Sequence, residues 1–379
     1  MRAGSRAIAG PPQDCLPPMG GGRPAAAPSL LVAPQWIGDA VMAQPLVAML
    51  AARGERVTAL GLPGVAPVLR AMPGIERVIE TPFAHGRLDL RSRRALAREL
   101  HREAYARAYV LGNNLKSRLV PWLARIPLRV GWRGEAAGAL LTHALQAPAE
   151  AARAGMQARQ RGDMREHYAA LAQELCSPGF GTGVPAAPVR EVGQPLLRVD
   201  PASASAEARG FGLEPGFIAL CPGAEYGPAK QWPAAHYAEL AELAHAAGRR
   251  VVILGGPRER EAAQAIREAA PRADATDLCG RTSMQQAIAL LAAAGGVVSN
   301  DSGLMHVAAA LGRPTVGLYG STDPRHTPPA AHRSATLWLH LPCSPCFQRN
   351  CPLGHLNCLR ALDPQWAWSA LSELMATAG

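Results

Sequence analysis

The chain has 379 residues, enough for two domains of ordinary size. Its content of 48% hydrophobic and 18% charged residues describes a globular protein with a sizeable core, and no apolar run approaches the ~18 residues of a membrane span. A net charge of +10 admits a nucleic acid, an anionic membrane or a phosphorylated substrate as partner, but the chain shows no nucleic-acid module and, at 5% aromatic content, no stacking platform.

Residues 1–28 are rich in Gly, Pro, Ala and Arg and lack the apolar core of a secretory signal; a disordered extension is expected there. "LLVAPQWIGDAVMAQPL" comes next. A strand over 30–33 runs into a turn with a single glycine, Gly38, and then an acid, Asp39. A helix succeeds the turn, and Pro45 predicts that it starts late or kinks. The turn lacks the G-x-G-x-x-G of a dehydrogenase, and the chain has no P-loop, serine elbow or HExxH. Further strands are predicted over 57–60, 77–79, 108–111 and 128–132, with helical patterns such as 94–103 between them. Lys116, Arg118, Arg129 and Arg133, with Arg87, Arg91, Arg93 and Arg94, make a candidate basic rim, although each alone reads as solvated surface.

A helix is predicted over 155–175, and the Gly/Pro-rich stretch after it places the domain boundary in 179–196. The domains are then 29–190 and 191–362, with a C-terminal helix over 363–379. The second domain repeats the alternation. It has strands over 217–220, 251–254, 297–299 and 315–318, and helices over 234–247, 262–269, 284–294 and 304–311. Such alternation predicts an α/β fold of two Rossmann-like domains, with parallel sheets facing a central cleft and ligands at the carboxyl ends of the strands.

"LCPGAEYGPAKQWP" follows a strand. Gly223 and Gly227 free its backbone, and Lys230 is a mobile charge for a phosphate, or else a solvated surface lysine. "VVSNDSGLMHV" is the strongest element. Asp301 and Ser302 are N-cap types, Gly303 permits close approach, and the helix N-terminus favours a diphosphate. His306 reads as a packed, satisfied histidine before it reads as a ligand. "CSPCFQRNCPLGHLNC" spaces Cys343, Cys346, Cys351 and Cys358 as C-x2-C-x4-C-x6-C around His355. A metal or a disulfide there is weighed below packed free thiols.

Taken together, "WIGDAVMAQPL", "RAYVLGNNLKSRLVPWLARIPLRVGWRGE", "CPGAEYGPAKQWPAAHYAELA" and "SNDSGLMHVAAALGRPTVGLYGSTDPRHTPP" resemble the lipopolysaccharide heptosyltransferases, the heptosyltransferase II group most closely. The resemblance covers about 30–329. It implies a GT-B fold, ADP-L-glycero-D-manno-heptose as donor, and the first heptose of heptosyl-Kdo-lipid A as acceptor at the cytoplasmic face of the inner membrane, with no transmembrane segment. It implies inversion at the anomeric centre without a metal or other cofactor.

The resemblance also implies residue roles. Asp39 is the base that takes the acceptor proton. Lys230 and the helix amides at Ser302 and Gly303 stabilise the leaving ADP. Asp301 bonds the donor sugar, Glu261 the ribose, and Gly223 and His306 belong to the donor side. Lys116, Arg129 and Arg133 are expected to hold the acidic acceptor. A heptosyltransferase I or III, or another ADP-sugar transferase, is the alternative within the family. A non-catalytic nucleotide-sugar-binding protein is the alternative outside it, and that would need Asp39 or Lys230 to be missing. The N-terminal extension and the cysteine-rich tail lie outside the resemblance.

Overall fold

The computed structural model describes residues 28–83, 88–133, 139–145, 162–173 and 192–377. Residues 1–27 of the expected extension, Arg87, and 179–191 of the predicted boundary lie outside the described residues, as do 155–161 and 174–175 of the predicted helix.

Six strands form the first sheet: β1 (Pro28–Val32), β2 (Arg56–Gly61), β3 (Ile75–Glu80), β4 (Arg107–Val110), β5 (Leu128–Trp132) and β6 (His143–Leu145). The second sheet holds β7 (Ile218–Cys221), β8 (Val251–Ile253), β9 (Thr276–Asp277), β10 (Gly296–Asn300), β11 (Thr315–Leu318) and β12 (Ser334–Leu337). The orders are β3-β2-β1-β4-β5-β6 and β12-β11-β10-β7-β8-β9, every pair parallel, so both halves share one topology. Parallel strands are covered by helices on both faces, and the central strands β1, β7 and β10 accordingly read as nearly unbroken runs of buried residues. In each sheet the order reverses at its middle, between β1 and β4 and between β7 and β10. A ligand crevice opens at such a reversal.

Pro45 acts as expected. The helix after β1 is broken into Ile37–Met42 and Gln44–Ala52, and Pro45 falls in the first turn of the second piece, where its missing N–H is not needed. The short edge strands β6, β9 and β12 escape sequence reading, as do the helices Ala66–Arg70, Leu115–Leu123 and Pro201–Gly210. Two to five residues are too few to show a period, and the longer two helices have small or interrupted apolar faces. Of the helix expected over 155–175, the described part is Met164–Gln173.

The halves are joined by packing and by a stitched strand of chain. Helix Ile37–Met42 packs on helix Gly303–Ala310, and one buried apolar cluster includes Leu46 and Val68 from the first half with Leu291 and Val307 from the second. Between them, Leu196 N donates to Gln44 Oε1 (3.1 Å), Leu197 N to Ala310 O (2.8 Å) and Arg198 N to Ala71 O (2.8 Å). Met164 N donates to His326 O (3.0 Å), and His326 Nδ1 lies 2.6 Å from Gly162 O. The last helix, Pro364–Ala376, buries Ala367 and Leu371 against the second sheet.

Far from the crevice, Glu55 ties the amino ends of the first sheet. It accepts from Ser29 Oγ and from Tyr109 Oη (3.2 Å) and pairs with Arg107 Nη1 (3.1 Å), almost wholly out of water. Replacing Glu55 by Ala leaves these donors without their shared acceptor, and a loss of about 3 kcal/mol is expected in urea unfolding. A loss below about 0.5 kcal/mol would show the network to be no more than a surface-type pairing.

Candidate active site

Six loops at the carboxyl ends of β1, β7, β8, β9, β10 and β11 contribute to a cavity of about 680 Å³. Asp39 stands on its wall from the first half; Lys230, Asp301, Glu259, Thr322 and His326 stand on it from the second.

Asp301 organises the second-half wall. Its carboxylate is 5% exposed. Oδ2 accepts from Lys230 Nζ (2.6 Å) and from Thr322 Oγ1 (2.6 Å), and Oδ1 lies 3.7 Å from His306 Nε2. Burial alone would raise the Asp301 carboxyl, but Lys230 and His306 outweigh it and hold the group well below the usual carboxylate range. Lys230 is aimed by its near neighbour Trp232. Trp232 N donates to Asn300 Oδ1 (3.1 Å), its indole N–H donates to Leu362 O (3.1 Å), and Asn300 Nδ2 donates to Pro222 O (2.7 Å). The buried Trp232 and Asn300 staple the whole loop to β10.

The expected side-chain cap is absent. Asp301 faces Lys230, and the Ser302 hydroxyl lies 3.1 Å from Ser299 Oγ, so no side chain caps the helix Gly303–Ala310. Its first N–H groups remain available to an anion in the cavity. Gly303 lines the cavity and also has a packing duty. A Cβ there would sit 2.8 Å from Ile37 Cβ, and a Cβ on Gly38 would sit 2.8 Å from His306 Cδ2. The two glycines face each other's half and let the two helices meet.

His306 is buried, as expected, but it is not satisfied. Its Nε2 faces Asp301 beyond ordinary hydrogen-bond length, and its Nδ1 has no partner among the described residues. Asp39 is half-buried beside it. Burial raises the Asp39 carboxyl above its ordinary value, against the pull of His306, His326 and Lys230 and with a push from Asp301. Two carboxyls on one cavity are therefore moved in opposite directions. Asp301 is locked as the anion, while Asp39 gains proton affinity, as a general base near neutrality requires.

Several expected site residues lie elsewhere. Glu261 is exposed on the helix Arg260–Ala269 and does not line the cavity; Glu259 does. Glu259 accepts from Gly256 N (2.8 Å), and Gly223 packs on it, with a Cβ there at 3.2 Å from Glu259 Cδ. Glu259 bonds back to the amide three residues before it, half of a capping box, but with glycine in place of Ser or Thr the sequence carries no clear signal of it.

Three members of the expected basic rim are committed elsewhere, while Arg91, Arg94 and Arg133 stay exposed. Arg93 is buried over the Phe83 ring (4.1 Å) and bonds Leu88 O and Lys116 O. Arg118 is buried and bonds Trp132 O (2.8 Å). Arg129 gives its guanidinium to Leu140 O (2.8 Å) and Ile126 O, holding the β5–β6 edge. Lys116, Arg129 and Arg133 line no part of the cavity.

The cysteine-rich segment is not a separate tail. It lies along the second half, buries Cys358 and Leu359, and contributes Phe347 and Arg349 to the cavity wall. No disulfide joins Cys343, Cys346, Cys351 or Cys358, and the four line one small void behind the loop that carries Lys230. Cys221, also on the wall, is pushed up to about 12 by burial and stays a neutral thiol.

This geometry has relatives. The family model of glycosyltransferase family 9 (heptosyltransferase) matches residues 93–357. Lipopolysaccharide heptosyltransferase 2 of Salmonella typhimurium is 37% identical over 92% of this chain and 99% of its own length. That of Escherichia coli K12 is 37% identical over 91% of this chain and 98% of its own. The solved structure of E. coli ADP-heptose lipopolysaccharide heptosyltransferase II superposes with a TM-score of 0.78 at 35% identity, covering 92% of this chain and 98% of that one. The fold is GT-B: two Rossmann-like halves with parallel sheets facing a cleft.

The contact at Gly38 is open to test. Gly38→Ala drives a methyl into His306, and a loss of about 1–3 kcal/mol is expected in thermal or urea unfolding. With His306→Ala already present, the added loss is expected to fall below about 0.5 kcal/mol. An equal loss in both backgrounds would show that the contact is not the cause.

Proposed function

The chain belongs to glycosyltransferase family 9, the heptosyltransferases, and from that premise we propose that it transfers L-glycero-D-manno-heptose from ADP-heptose to the first heptose of heptosyl-Kdo-lipid A. One observation carries the reading. A half-buried carboxyl of raised proton affinity, Asp39, shares a cavity with an uncapped helix N-terminus flanked by Lys230.

The chemistry divides between the halves. The diphosphate of the donor rests on the N–H groups at the start of helix Gly303–Ala310, where the helix dipole favours an anion. The acceptor hydroxyl enters from the first half, gives its proton to Asp39, and attacks the anomeric carbon from the face opposite ADP. The new C–O bond forms as the bond to the ADP oxygen breaks, which inverts the centre. The charge that gathers on ADP is met by the helix amides and by Lys230, with no divalent metal required. Glu259, at the β8 loop, replaces Glu261 as the acid facing the nucleoside. The acceptor is held by groups other than Arg129, whose guanidinium is already committed to two carbonyls.

The acceptor is a lipid, and the first half offers a surface for its membrane. Leu88, Leu90, Leu115 and Trp122 are exposed on and beside two helices that pack together, with Arg91, Arg94 and Arg98 exposed on the first of them. Among the described residues no helix is long and apolar enough to cross a membrane, so contact at the surface is the expected mode. Co-sedimentation with vesicles containing anionic lipid is expected, and to weaken as salt rises. Equal recovery with neutral vesicles would remove the charge from the account.

Asp39→Asn is expected to lower turnover about 10²- to 10⁴-fold while ADP binding stays within a few-fold, measured with ADP-heptose and heptosyl-Kdo-lipid A. The reaction uses the ionised carboxyl, so kcat/KM rises with pH through the Asp39 pKa. Because burial raises that pKa, the acid limb lies above the range of an ordinary aspartate. Near-normal turnover in Asp39→Asn would remove Asp39 as the base. Faster transfer to Kdo-lipid A than to heptosyl-Kdo-lipid A would move the chain to another acceptor within the family.

A further inference from the structure

Among the described residues, two Lys or Arg side chains line the cavity, Lys230 and Arg349. They are not equivalent. The Lys230 ammonium is 2.6 Å from the buried Asp301 carboxylate, so much of its charge is already neutralised. Arg349 has no carboxylate at ion-pair distance among the described residues; its guanidinium lies 5.5 Å from the centroid of the Tyr226 ring. Lys230 Nζ lies 5.4 Å from the same centroid. One ring thus gathers both cations on one stretch of the wall.

Arg349 is held there by its own backbone. Its carbonyl accepts from Ala229 N (3.0 Å), the residue before Lys230. Tyr226 Oη donates to Phe347 O (2.8 Å), Phe347 N to Ser321 O (2.7 Å), and Ser344 Oγ to Gly320 O (2.6 Å). Gly227 makes the approach possible. Its φ is 154°, and a Cβ there would lie 2.7 Å from Arg349 O. Behind the loop, Cys343, Cys346, Cys351 and Cys358 close on a void of about 20 Å³ that they share with Ala229 and Ser321. The small thiols pack the segment directly against the loop that carries Lys230.

We propose that Arg349 is a donor-binding residue that contacts the diphosphate, and that the cysteine-rich segment is the strap that presents it. The proposal rests on the reading of the chain as an ADP-sugar transferase. A guanidinium is permanently charged and matches two phosphate oxygens at once, which a lysine does not. With Lys230 shared between Asp301 and the nucleotide, Arg349 adds the charge that no carboxylate among the described residues engages.

Calorimetry on the full chain with ADP and with adenosine tests this. Arg349→Met keeps the length of the stem over Tyr226 and removes the charge. It is expected to weaken ADP binding roughly 10- to 100-fold and to leave adenosine binding unchanged. Arg349→Lys is expected to recover part of the ADP affinity, and the ADP-heptose KM is expected to rise in the same order. Unfolding midpoints establish that the variants are folded. ADP affinity in Arg349→Met within about twofold of the unsubstituted chain would overturn the proposal. So would equal weakening of ADP and adenosine, which would make the strap a structural element alone. Failure of the unsubstituted chain to bind ADP would instead overturn the functional reading beneath it.

Discussion

Asp301 puts a carboxylate where water hardly reaches, at the carboxyl end of β10, and such a charge persists only with partners at hand. Its partners come from different directions. Lys230 arrives on the β7 loop, Thr322 on the β11 loop, and His306 from one turn into the helix that Asp301 precedes. Pairing them to one group fixes three pieces of chain at once. His306 in turn lies so close to Gly38 that no side chain fits there, which brings the chain at Asp39 up against the cluster around Asp301. Asp39 of the first half and the Asp301 cluster of the second are therefore coupled through one packed contact.

The same pairing redistributes charge. A lysine bonded to a buried carboxylate is a weaker counter-charge than its formal sign suggests, and it leaves the cavity depending on other positive ends. The uncapped helix N-terminus is one, and Arg349 is the other. This gives the cysteine-rich segment a place in the architecture that its spacing alone does not show. Its backbone is bonded to the Lys230 loop, and its thiols line a small void behind that loop.

Much of the fold is legible in the sequence where local rules are strong. The central strands are visible because burial on both faces demands unbroken apolar runs. The break at Pro45 is visible because a missing N–H has only local consequences. The misses share a physical cause. Arg93, Arg118 and Arg129 look like a rim because charge along a chain says nothing about which carbonyls a guanidinium will meet. Glu261 stands in for Glu259 in a sequence reading because two acids two residues apart differ only in which way a turn and the adjoining helix aim them.

The sequence by itself determined the alternation of strands and helices, and with it two parallel sheets with crevices at their carboxyl ends. It also determined which loops carry Asp39, Lys230 and Asp301, because loop position follows from strand position. Only the tertiary structure decided what those residues do to one another. Whether a carboxyl is raised like Asp39 or lowered like Asp301 depends on burial and on charges brought from distant parts of the chain, as Lys230 is to Asp301 and as His306 and His326 are to Asp39. That a glycine on the cavity wall also lets two helices meet depends on what lies across the cleft, and for Gly38 and Gly303 that neighbour is the other half of the molecule.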